Sequence, residues 1–294
     1  MFSIIVPSYN RKEEVPLLLA DLEKQTAQNF EVIIVDDCSK QPVTLDRTYA
    51  FPVKIIRNEQ NQGAAESRNI GAKEASREWL LFLDDDDRFA EQKCEVLAKA
   101  IQAEPQVNFI YHPAECLMVN EGFTYFTHPY SNPQDLTLDN ILQANKVGGM
   151  PMIGIKKTLF FKVGGLSTDL LSLEDYDFIL KVISDADFMP KYIDQALSKC
   201  AFHTKRNSVS TNTKNTERAI RMIYAKYVKT PQQAHNFVFN SFYMLAYPYI
   251  MNLSRNAAIY YFKMFKHSKK LKYLIIALIT FISPKLAINM KRFI

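Results

Sequence analysis

Apolar and polar residues fall into blocks along the first ninety positions, and the blocks predict strands and helices by turns. Ser3-Ile-Ile-Val-Pro7 is an apolar run of strand length, and residues 30–35, 53–56 and 79–83 repeat it. Between the first two runs, Val15, Leu18, Leu19 and Leu22 recur at i, i+3, i+4 and i+7, the stripe of a helix with one apolar face. Asn10, with Glu13 three residues on, predicts a capping pair at its start. Gly63 opens a second helical stretch that reaches residue 76. Strand and helix in alternation predict βαβ units and a mostly parallel sheet. Ligands bind such sheets at the carboxyl ends of strands. Three of the predicted ends are polar: Pro7-Ser8-Tyr9-Asn10, Asp36-Asp37 and the four aspartates Asp84 to Asp87.

Farther along the pattern loosens. Apolar runs around Asn120-Glu121-Gly122 predict a hairpin within 107–127, and Gly148-Gly149-Met150-Pro151 reads as a loop. Glu174-Asp175-Tyr176-Asp177 opens a helix whose apolar positions are Phe178, Ile179, Val182 and Ile183. From about residue 215 the chain is helical and rich in Tyr, Phe and Lys.

Composition narrows the class. The 294 residues are 48% hydrophobic and 23% charged, which fits a large α/β domain with an appendage and excludes a disordered, collagen-like or disulfide-stapled chain. A mean hydropathy of −0.15 argues against a polytopic membrane protein. The four cysteines are scattered, with no C-x-x-C pair, which argues against zinc ribbons and for a reducing compartment. Met1-Phe-Ser-Ile-Ile-Val-Pro7 lacks the pattern of a signal peptide.

The net charge of +5 hides a split. Residues 218–294 hold thirteen Lys and Arg and no Asp or Glu, while the rest carries 23 basic and 31 acidic groups. An acidic body joined to a basic tail predicts an anionic partner for the tail. Lys263, Lys266 and Lys270 share a helical face, and residues 273–282 are almost wholly apolar. That run is too short to span a bilayer, which needs about 20 such residues, and Pro284 interrupts it. Aromatic and basic residues around it predict an interfacial helix on an anionic membrane surface; the alternative is a helix buried on the body or on a second chain. No helix-turn-helix or RNA-binding signature accompanies the charge, so nucleic acid is not expected as a partner.

Four consecutive carboxylates at a strand end raise one another's pKa values unless a cation sits among them. Their hard oxygens suit Mg²⁺ or Mn²⁺ completed by phosphate oxygens; a solvated acidic turn is the plain alternative. Ile4-Ile-Val-Pro-Ser-Tyr-Asn10, Val35-Asp-Asp-Cys-Ser39, Asn61-Gln-Gly-Ala-Ala-Glu-Ser-Arg-Asn-Ile-Gly71 and Phe82-Leu-Asp-Asp-Asp-Asp87 come in an order and spacing that resemble the family 2 glycosyltransferases. Val163-Gly-Gly-Leu166 and Leu173-Glu-Asp-Tyr-Asp177 continue the resemblance, which covers about residues 2–215.

The resemblance implies a GT-A fold, a Rossmann-like mostly parallel sheet flanked by helices, over residues 1–215, with 216–294 as a helical basic appendage. It implies inverting, metal-dependent transfer from a nucleotide sugar, a UDP-sugar above all, to a glycan or lipid-linked acceptor in surface polysaccharide synthesis. Pro7 and Tyr9 would line the nucleotide pocket, and Asp37 would accept the N3–H of uracil. Arg68 would brace the base pocket and the aspartates. Asp84 and Asp85 would contact ribose or orient the site, and Asp86 would ligate Mn²⁺ or Mg²⁺. Asp175 would be the catalytic base, with Glu174 beside it on the donor side. Gly164 and Gly165 would let backbone approach the donor sugar. His203 would touch metal or phosphate, or Lys205 and Arg206 would do so instead. Cys38 stands where the family has a small, glycine-like turn residue. The expected location is the cytoplasm, peripheral on the inner face of the cell membrane, and a homo-oligomer is left open. A nucleotidyltransferase is the alternative enzyme, but residues 7–14 lack its glycine-rich basic loop. Asp86 and Asp175 together argue against a non-catalytic scaffold.

Overall fold

A computed structural model describes residues 1–45, 47–205 and 212–293. The chain begins with β1 (Phe2–Ser8), α1 (Glu14–Leu22), β2 (Phe30–Asp36), β3 (Val53–Arg57), α2 (Gly63–Glu74) and β4 (Trp79–Phe82). These four strands lie parallel in the order β4-β1-β2-β3. Their two-residue period divides the interior. Ile5, Ile33 and Val35 face one core, and Ile4, Val6, Val32 and Ile34 face the other, so helices cover both sides. α2 lies close on β1: a methyl placed on Gly71 would stand 2.5 Å from Ile5 Cγ2.

The sheet is completed by residues far away in sequence. β6 (Phe109–Tyr111) and β10 (Pro190–Tyr192) pair in parallel, and β9 (Ile153–Lys156) joins them to β4 by antiparallel pairing on both sides. A second sheet, in the order β5-β11-β7-β8, consists of β5 (Arg88–Phe89), β7 (Ala114–Met118), β8 (Phe123–Phe126) and β11 (Ser198–Phe202). β7 and β8 form the expected hairpin, with Gly122 in the left-handed region. The four aspartates lie where the chain leaves β4 of the large sheet and enters β5 of the small one.

Around the sheets lie α3 (Lys93–Ala103), α4 (Leu138–Gln143), α5 (Lys157–Lys162) and α6 (Glu174–Ile183), then α7 (Thr213–Tyr227) and α8 (Pro231–Met251). Ala219, Ile223 and Tyr227 of α7 and Phe237 and Met244 of α8 share one core with Ile5 and Phe82. A Thr230–Gln233 capping box starts α8. α9 (Ala257–Ser268), α10 (Leu271–Ile282) and α11 (Pro284–Asn289) follow, and Ala257 and Ile288 pack with Met118 and Phe123 of the small sheet. Among the described residues, no helix is long and apolar enough to cross a membrane.

One local expectation fails. Asn10 does not cap α1, which starts at Glu14 without a side-chain cap. Asn10 is left-handed (φ 56°), its amide donates to Ser39 Oγ at 2.8 Å, and its Oδ1 accepts from Lys40 N at 2.9 Å. The side chain ties the end of β1 to the loop after β2 instead.

Candidate active site

The ends of β1, β2 and β4 converge, and hydrogen bonds fix each polar group. Pro7 stands opposite Val35, one residue before the β1–β2 pairing ends at Ser8 and Asp36, and Tyr9 just beyond it is 48% exposed, leaving a face on which a planar ligand could pack. Asp36, at the end of β2, is buried and accepts from Ser39 N at 3.0 Å, Val43 N at 3.2 Å and Arg57 Nη1 at 2.6 Å. Burial pushes its pKa up, but these donors outweigh it and hold it below the usual carboxylate range. Asp37 caps α2: Oδ1 accepts from Asn58 Nδ2 and Gln62 N, and Oδ2 from Gly63 N, all at 2.8 Å. Its Oδ2 therefore keeps room for one further donor. Cys38 is left-handed (φ 61°), a conformation that suits the small, glycine-like turn residue expected there.

Three of the four aspartates are gathered by arginines, and the fourth is not. Asp84 Oδ1 accepts from Arg68 Nη2 at 2.6 Å. Arg11 Nη1 lies 2.8 Å from Asp85 Oδ1 and 2.7 Å from Asp86 Oδ2. Ser8 Oγ donates to Asp85 Oδ2 at 2.9 Å. Burial pushes Asp85 up to about 6 despite Arg11 and Ser8. Asp87 is buried and accepts from Ala201 N of β11 at 2.9 Å. Burial and then the charge of Asp84 raise it to about 8. It stitches the two sheets together.

Arg68 connects this cluster to α6. It is buried, and its Nη1 lies 3.3 Å from Glu174 Oε1 while Nη2 holds Asp84. Burial lowers its pKa, but the two carboxylates outweigh burial and raise it. Asp175 follows at the first turn of α6, its Oδ1 accepting from Tyr176 N at 2.7 Å. A methyl built on Gly149 would stand 3.7 Å from Asp175 Oδ2, so the Gly148-Gly149-Met150-Pro151 loop backs onto this carboxylate. Burial first, then the charge of Glu174, push Asp175 up to about 6. A carboxylate so raised is a better proton acceptor near neutral pH than an ordinary one. Asp177, on the same helix, is fastened elsewhere: it accepts from Ser167 Oγ at 2.6 Å, Lys226 Nζ at 3.0 Å and Tyr227 Oη at 2.8 Å.

Two expected residues have other surroundings. Gly165 is left-handed (φ +63°) at the end of α5, and a methyl there would lie 2.7 Å from Asn69 Oδ1. Asn69 in turn bonds the backbone of Leu166 in both directions, at 2.9 Å each. The close approach to α2 leaves no room for a side chain here. His203 lies just past β11, and among the described residues no group of three or more His, Cys, Asp or Glu gathers around it as a metal site. Lys205 is left-handed, and its amide donates to Met251 O of α8 at 2.9 Å. Arg206 lies outside the described residues. Sequence reasoning missed Arg11, Ser8 and Asn58. Arg11 left one signal, a cation directly after the polar turn that ends β1.

A model of "Glycosyl transferase family 2" matches residues 3–161. A Haemophilus influenzae protein described as an uncharacterized glycosyltransferase is 61% identical over 292 residues, covering 99% of each chain. The chain belongs to glycosyl transferase family 2. This family 2 glycosyltransferase is also similar to the UDP-Glc:alpha-D-GlcNAc-diphosphoundecaprenol beta-1,3-glucosyltransferase WfgD of Escherichia coli. The two are 27% identical over 215 residues, 72% of this chain and 80% of that protein. Among solved structures, S. aureus TarS 1-349 in complex with UDP-GlcNAc superposes with a TM-score of 0.58 at 18% identity. The match covers 94% of this chain and 90% of that one, and shows that the fold is GT-A.

Proposed function

We propose that the enzyme moves a sugar from a UDP-sugar to a glycan or lipid-linked acceptor with inversion at the anomeric carbon, with Asp175 as the base. The observation that carries this is the reach of Arg68: one buried side chain holds Asp84 at the end of β4 and Glu174 beside Asp175, which supports a single site shared by the donor end and the base. The names of the relatives support the donor and acceptor classes. WfgD is named for a UDP-Glc donor and a diphosphoundecaprenol-linked acceptor, which fits a role in surface polysaccharide synthesis, and TarS has been solved with UDP-GlcNAc.

In this reading Tyr9 packs on the base beside Pro7, and Asp37 Oδ2 accepts the uracil imide proton. Asp84 and Asp85 orient ribose and diphosphate. The carboxylates also fit a divalent cation: they are hard oxygen donors, and Asp85 and Asp86 already share a positive group. Asp86 would hold Mn²⁺ or Mg²⁺. When bound, the ion supplies charge for the departing diphosphate. Asp175 Oδ2, the oxygen not held by Tyr176 N, takes the acceptor hydroxyl proton as the hydroxyl oxygen attacks the anomeric carbon and the bond to UDP breaks. A single displacement converts an α-linked donor into a β-linkage. Asp175→Asn keeps the shape and removes the base, so turnover should fall by ~10²-fold or more, with UDP affinity by calorimetry nearly unchanged. Unaltered turnover would move the base elsewhere.

A further inference from the structure

α10 has its amphipathic pattern reversed. Ala277 and Thr280 are buried against the neighbouring helices, while Leu271, Ile275, Leu278 and Ile282 point outward at 67%, 53%, 56% and 70% exposure. These four positions are i, i+4, i+7 and i+11, one continuous helical face. Phe281 flanks the face, and Leu286 extends it into α11; both are exposed. A water-facing helix carries polar residues on this side, so a contiguous apolar ridge here marks a surface with a partner.

Charge decides which partner. Lys272 lies on α10 itself, Lys269 and Lys270 stand in the link just before it, Lys285 follows in α11, and Lys263 and Lys266 lie on α9, which packs against α10. Among the described residues of 218–294, the only ion pair is that of Lys226 of α7 with Asp177, and none involves the lysines of α9 to α11. Several lie along aromatic rings, with Lys266 Nζ 4.9 Å from the Phe262 centroid and Lys272 Nζ 5.1 Å from that of Tyr273. A second copy docked on this face by twofold symmetry would bring the two lysine fields together.

We infer that α10 seats the enzyme on an anionic lipid surface. Leu271, Ile275, Leu278 and Ile282 enter the acyl boundary, and the flanking lysines meet the headgroups. The twelve residues of α10 rise about 18 Å, short of a bilayer core of about 30 Å, so the helix lies in the plane of the interface. The acidic body is repelled by the same surface, which orients the molecule with its C-terminal helices down.

The test is flotation of the full chain with vesicles of phosphatidylglycerol and phosphatidylethanolamine, against vesicles of phosphatidylcholine alone. The parent should float with the anionic vesicles and lose part of that binding at high salt. Ile275→Gln with Leu278→Gln should weaken partitioning by about tenfold for each side chain. Lys269→Gln, Lys270→Gln and Lys272→Gln together should weaken it by about fivefold per lysine at low salt, and leave a remainder that salt does not remove. All five positions are on the surface, so thermal melts should match the parent and separate lost binding from lost fold. The inference is overturned if the parent ignores anionic vesicles at low salt, or if the Ile275/Leu278 variant floats as the parent does. It is overturned too if ultracentrifugation finds a dimer that this variant dissolves, with no affinity for lipid.

Discussion

Glu174→Gln removes one negative charge from the first turn of α6 and leaves an oxygen for Arg68, so the cleft keeps its shape. Asp175 stands at about 6 where an ordinary aspartate stands at 3.8, and burial is the larger cause, with the charge of Glu174 second. The substitution leaves burial in place, so it returns only part of that gap. The acid limb of kcat/KM should move from about pH 6 to about pH 5, still above the range of an exposed aspartate. At pH 5 the parent then has about a tenth of its base ionised and the variant about half, so the ratio of the rate at pH 5 to the rate at pH 7 should be roughly fivefold higher in the variant than in the parent. Because the two carboxylates sit side by side, the limb reports the pair and not a single site. The assay is UDP release from the donor across that pH range, with the stability of each sample checked at its lowest pH. A limb that stays at pH 6 or moves upward would refute both the role of Asp175 and the part assigned to Glu174.

Two other substitutions test separate pieces. Asp86→Ala should abolish the Mn²⁺-dependent part of UDP binding in calorimetry, because it removes the proposed ligand and leaves Arg11 with Asp85 alone; equal affinity with and without the substitution would end the metal assignment. Tyr227→Phe deletes the 2.8 Å hydrogen bond to the buried carboxylate of Asp177, which should cost about 1–3 kcal/mol and lower the melting temperature by several degrees, while an unchanged melt would mean that Lys226 and Ser167 suffice to hold Asp177.

The half of the fold built from local pattern was readable. β1, β2 and β4 are short apolar runs buried on both faces, β3 is a half-buried run at the sheet edge, and α6 starts at Glu174, where its acidic first turn announced it. The remainder depends on partners far along the chain. Nothing in Ile153–Lys156 reveals that it runs antiparallel between β4 and β6, since pairing direction is set by the path of the whole chain. The same limit applied to the carboxylates. Asp84 to Asp87 look alike in sequence, yet Asp87 is taken inward by an amide 114 positions away. Asp177 stands two positions from Asp175 on the same helix, yet Lys226 and Tyr227 of α7 fasten it.

Arg11 bears on how an ion would reach this cleft. With its guanidinium already between Asp85 and Asp86, entry of the divalent ion proposed above is an exchange of one cation for another, and not the filling of an open seat. Its affinity when alone is reduced by the pairing it must break. A diphosphate arriving with the ion offers the displaced guanidinium a new anion. By the reciprocity of linked equilibria, each then tightens the hold on the other by the same factor. If ion and nucleotide bind as proposed, Arg11 would make the site a poor scavenger of free ions and a selective receptor for the two together.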